Sequence, residues 1–188
     1  MRYLKMLGLI GMAAAALMAF AGSASAQTFT APAGTEYTGG WKLSLEGSIK
    51  WSLGFAEITC TGGSATGSFT TNNNTEVSGS ITSWSFSSCK EGQTVDTLNN
   101  NGTLTILKST HAVSGTGTEV TFAVGGVSCV YSLGSTSTPL GTASNTESGV
   151  TFTVHATLKV TMGGFLCANP GTVQASFRLT TPLSSVLD

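Results

Sequence analysis

The stretch VTFTVHATLKVTM, residues 150–162, constrains this chain more than any other. Val150, Phe152, Val154, Ala156, Leu158, Val160 and Met162 share one parity, and Thr151, Thr153, His155, Thr157, Lys159 and Thr161 share the other. Side chains on a strand alternate between its two faces, so this pattern predicts a long strand with one dry and one wet face. Two architectures could use it: a sheet packed on a protein core, or a membrane barrel with lipid outside and water within.

The chain start settles which compartment to expect. Arg2 and Lys5 precede an apolar run from Met6 to Phe20, and Ala24-Ser25-Ala26 offers small residues before Gln27. This order reads as a secretory signal peptide, residues 1–26, cleaved after Ala26. The run is too short and too rich in Ala for a comfortable membrane span. The mature chain, 27–188, is then one secreted domain with no span of its own, long enough for a sizeable core. Its five Lys and one Arg face nine acidic residues, a net charge of −3 with no basic patch, so nucleic acid is a poor partner. Only 9% of the chain is charged, and Thr, Ser, Asn and Gly carry the polarity instead. Such a surface hydrogen-bonds well but repels little, which favours self-association.

Cys60, Cys89, Cys129 and Cys167 follow an export signal in even number, which reads as two disulfides. Three pairings are possible. The sequential one, Cys60–Cys89 with Cys129–Cys167, is favoured because each bond then ties a contiguous block of strands. Loops of that size stabilise by roughly 3–4 kcal/mol each in the chain-entropy account.

No stretch after residue 27 has a helical period. Short alternating runs recur instead: 41–45, 49–55, 57–60, 77–89, 103–108, 119–124, 127–133, 150–162 and 173–179. Gly62-Gly63, Asn72-Asn73-Asn74, Asn99-Asn100-Asn101-Gly102 and Gly125-Gly126 read as turns, and 134–149 reads as a polar loop. A membrane barrel needs strands of about ten residues throughout and aromatic girdles; here few runs are that long, and the aromatics do not sit at strand ends. The expectation is an all-β fold: a single β-sandwich, jelly-roll or Ig-like, of about nine to eleven antiparallel strands, preferred over a soluble barrel.

Chemistry is sparse. Nucleophilic catalysis needs a base beside the nucleophile, yet the mature chain has only His111 and His155, and no Ser in a G-x-S-x-G setting. His155 falls on the wet face and His111 at a strand end. The seven Glu residues form no local pair of the kind a glycosidase uses, and Asp96 with Asn99–Asn101 is better read as a turn than as a calcium loop. No catalytic, cofactor-binding or metal residue is assigned, and no cofactor is expected. Trp41 and Trp51 share parity with core residues. Trp84 and Phe86 sit on the opposite parity from Val77, Gly79 and Ile81. Either a bulge near Ser83 turns them inward, or they project outward as a platform for a ligand.

The Cys-centred strands EITCTGGSATGSF, WSFSSCKEG, GVSCVYSLG and FLCANPGTVQASF, behind the leader MRYLKMLGLIGMAAAALMAFAGSASA, resemble a group of uncharacterised secreted two-disulfide all-β proteins of actinobacteria. The resemblance implies the pairings Cys60–Cys89 and Cys129–Cys167 and an extracellular or wall-associated place, and it carries no activity. The expected role is therefore non-enzymatic: an extracellular or cell-surface structural or interaction protein. The alternative is a carbohydrate-binding module that uses Trp84 and Phe86, with a hydrolase behind both. Partners of matching chemistry are cell-wall or extracellular polysaccharide, or a second copy of the chain.

Overall fold

The computed structural model describes residues 29–30, 36–54, 56–97, 101–147, 149–182 and 186–187. The signal peptide read at 1–26 and the Asn99-Asn100 part of the expected turn lie outside the described residues. Thirteen strands and no helix occur among those described: β1 (Phe29–Thr30), β2 (Gly39–Gly54), β3 (Glu57–Asn72), β4 (Glu76–Cys89), β5 (Gln93–Thr97), β6 (Thr103–Leu107), β7 (Ala112–Thr116), β8 (Glu119–Val124), β9 (Val127–Ser132), β10 (Thr138–Thr146), β11 (Gly149–Met162), β12 (Cys167–Thr181) and β13 (Val186–Leu187). β1 pairs with β13 by itself. The other eleven form one antiparallel sheet.

That sheet is not a sandwich. Its order runs β10-β7-β6-β4-β3-β2-β12-β11, and β11 pairs again with β10. Eight strands thus close into a barrel, and β9, β8 and β5 extend the sheet from β11 as three extra strands. The expected β-sandwich is overturned by this second pairing of β10: Thr138–Thr142 pairs β7, while Gly141–Thr146 pairs β11. A sheet that meets itself has no second sheet to pack on and leaves no open edge in the ring.

The closing strand lies inside the segment 134–149 that reads as a polar loop. Only Leu140 and Ala143 of β10 are buried apolar side chains, and a register shift between Pro139 and Gly141 breaks their alternation. Proline within a sheet belongs at such a bulge. Gly141 follows it, opposite Val113 on one side and Val154 on the other. Its φ is +147°, and a Cβ there would run into the carbonyl oxygen of Thr153. Glycine is required for β10 to approach β11 this closely.

Five strands are long: β2 and β3 have 16 residues, β12 has 15, and β4 and β11 have 14. Each serves two halves of the molecule. In the first half β6 pairs Glu76–Ser80 of β4, and β10 pairs Gly149–Val154 of β11, completing the ring. In the second half β9 pairs Lys159–Met162 of β11, with β8 and β5 following. The Gln93 side chain, at the head of β5, accepts from Thr59 N at 3.2 Å and donates to Glu57 O at 2.9 Å, tying the extension back to β3. Two disulfides lock this half. Cys60–Cys89 joins directly paired positions of β3 and β4, and Cys129–Cys167 joins β9 to the head of β12.

The inner face is apolar and the outer face polar. On β11, Val150, Phe152, Ala156 and Leu158 are buried, whereas Thr153, His155, Thr157 and Lys159 are exposed. Lys42, Lys50, Ser52, Ser83, Ser85 and Ser87 likewise face outward. A barrel immersed in lipid has the reverse arrangement. The polar exterior holds one ion pair among the described residues, Arg178 Nε to Glu46 Oε1 at 3.4 Å, half-exposed and so of little energetic weight. Lys108, in the β6–β7 turn, is buried, and its Nζ has no hydrogen-bond partner among the described residues. Burial pushes its pKa down, against the pull of Glu36.

Because closure needs glycine beside Thr153, Gly141→Ala should destabilise the protein by about 2–4 kcal/mol. Urea unfolding of the mature chain measures this. A change below about 0.5 kcal/mol would mean that β10 and β11 are not held so closely.

Candidate functional site

Where the two halves meet, bulges on β4 and β10 re-aim side chains into the interior. On β4, Ile81 pairs Gly67 and Ser83 pairs Thr66, which leaves Thr82 as the extra residue. Thr66 Oγ1 lies 3.0 Å from Thr82 Oγ1 and 2.6 Å from Ser83 Oγ, one hydroxyl facing two, as the bulge demands. Asn101 Nδ2 donates to Thr82 O at 2.9 Å and fixes the bulged backbone. Beyond it Trp84 and Phe86 take over the inward parity held before it by Val77, Gly79 and Ile81. On β10, Leu140 is the extra residue and turns inward in the same way.

Between these bulges lies a cavity of about 80 Å³. Its floor comes from the long strands, with Ile49 and Trp51 of β2, Leu158 of β11, and Val173 and Phe177 of β12. Val120 of β8, Tyr131 of β9, and Leu133 close it from the extension. Trp84, Phe86 and Val154 are its half-buried members, so they form its accessible side. The Trp84 and Phe86 rings stack at 15° with centroids 6.0 Å apart. Trp84 also meets Phe177 edge-on at 5.8 Å, and Phe86 meets Trp51 at 5.0 Å and 90°. Phe122 continues this aromatic column from Trp51 to Tyr131.

Both hydroxyls of the lining are engaged with backbone carbonyls. Tyr131 is fully buried, and its hydroxyl donates to Ala168 O at 3.0 Å. Gly171 makes room for its ring, since a Cβ there would stand 2.6 Å from Tyr131 Cε1. Thr118 Oγ1 donates to Asn101 O at 2.7 Å. The cavity can therefore exclude water and hold apolar surface, but it has no base, nucleophile or ion to act on what it holds.

Trp84 and Phe86, the residues the sequence offers as a ligand platform, thus stand in a cavity wall, each covering part of the other. His155 is exposed on β11, opposite Gln174. His111 occupies the β6–β7 turn at φ +55°, and its carbonyl accepts from Ala143 N at 2.9 Å. Asp96 is exposed on β5, and Asn101 serves the β4 bulge. No group of three or more His, Cys, Asp or Glu able to hold a metal occurs among the described residues. Sequence reasoning missed Leu140, whose only signal is one apolar residue beside Pro139 in a polar stretch. It also missed the way Val120 and Leu133 reach across from the extension. At the far end, the β11–β12 turn exposes Met162, Phe165 and Leu166, with Phe165 98% exposed.

No family model, curated protein or solved structure matches the chain. The resemblance to secreted actinobacterial proteins rests on the quoted residues alone.

Burial raises the pKa of Tyr131 above its ordinary value near 10. The unfolded chain releases this proton first, so stability from the phenol is complete below pH about 10 and falls as pH rises toward the folded value. Tyr131→Phe should cost about 1–2 kcal/mol at pH 7, by leaving the Ala168 carbonyl without its donor. It should also flatten the alkaline loss. Urea unfolding from pH 7 to 11 measures both, and parallel curves for the two proteins would contradict a buried phenol at this position.

Proposed function

We propose that the protein is a non-enzymatic binding barrel that works outside the cytoplasm, and that its binding site is the cavity between the two bulges. The cavity's apolar lining, with both of its hydroxyls already engaged, carries this reading. A site built to react would leave a polar group facing the space. Two disulfides are consistent with an oxidising, extracellular location. The leader at 1–26 supports export with cleavage after Ala26, and the weakly charged, hydroxyl-rich exterior suits a cell-wall or matrix setting.

Xenon probes the site without assuming a ligand, because apolar cavities take it up. Carbon-labelled mature protein under xenon pressure should show saturable methyl shifts at Val154, Leu158, Val120 and Leu133. Uniform, unsaturable shifts over the whole protein would remove the cavity as a site.

A further inference from the structure

Resting on that reading of the cavity as the binding site, we infer that its ligand class is an unbranched aliphatic chain, whose last few carbons enter between Trp84, Phe86 and Val154 while the rest stays outside. Volume sets the class first. A dry protein cavity of about 150 Å³ takes benzene. This one, at about 80 Å³, has roughly half that room, which favours a narrow chain over an aromatic or sugar ring. Entrance shape is the second argument. The Trp84 and Phe86 rings stack within 15° of parallel, so they form one rigid aromatic wall on the side where Val154 also lines the cavity. A thin chain passes such a wall more readily than a branched or globular group. Polarity is the third. The Tyr131 and Thr118 hydroxyls are both donated to backbone carbonyls, so a head group carried inside would give up its water for walls that are almost wholly apolar. The head must remain in solvent, and the cavity reads only the tail.

Alkyl β-D-glucopyranosides from methyl to octyl, each below its micelle concentration, test this on the mature chain by methyl and indole shifts. Benzyl alcohol and xenon serve as comparators. Affinity should rise about fourfold per carbon through roughly the third or fourth carbon and then level off. Methyl glucoside should not bind. Val154→Phe should abolish the length dependence without lowering the melting temperature, and Val154→Met should weaken it if the Phe variant fails to fold. Benzyl alcohol binding with no alkyl series would overturn the aliphatic class and leave the cavity as a site. Silence from xenon and every glucoside would overturn both. Methyl glucoside binding as tightly as the longer chains would mean that the sugar is read instead, and would also overturn the inference.

Discussion

The hydrogen bonds that β10 makes on both edges hold the architecture together. One edge serves β7 and the other β11, and Gly141 takes part in both pairings. Without the second pairing the eight strands would be an open sheet, with edges for other chains to join. With it, five long strands become walls shared by two halves. The interior becomes one continuous apolar cluster that runs from Trp41 and Phe69 to Phe122 and Tyr131.

Sharing long strands between two halves has a geometric consequence. The halves are completed by different short strands, β6, β7 and β10 in one, β9, β8 and β5 in the other. Several strand pairs break register where the halves meet. The bulges at Thr82 and Leu140 lie there, and β2 loses register with β3 between Ser44 and Ile49. A bulge turns a side chain without ending the strand. Trp84, Phe86 and Leu140 therefore converge on one interior point from strands whose simple alternation would send them elsewhere. The cavity is the space that this convergence leaves incompletely filled.

This also explains how much could be read in advance. The strand at 150–162 has its inward and outward faces as its alternation predicts as far as Val160, beyond which a register shift leaves Met162 exposed, and the all-β character and the two disulfides follow from the same sequence. The closure does not, because alternation shows that a face is buried but not whether another sheet or the same sheet covers it. Strands β7 and β10, AVSGT and TPLGTASNT, are too small and polar to register as core strands. They close the ring through backbone pairing more than through side-chain burial. Gly62-Gly63, which looks like a turn, lies within β3, where a Cβ on Gly62 would meet Ser87 and one on Gly63 would crowd Phe86 and Leu45. The choice of faces for Trp84 turned on one extra residue, Thr82, whose bulge is fixed by Asn101 some twenty positions away. That contact is invisible to local pattern.

Closure itself is open to direct measurement. In a nuclear magnetic resonance sample of the oxidised mature protein, backbone protons of Gly141 should show short-range cross-strand effects to Val113 and to Val154 together. Both sets in one sample are the signature of a sheet that meets itself. If Gly141 gave contacts to Val154 alone, with Val113 and β7 at an unpaired edge, the ring would be open and the account built on it would be wrong.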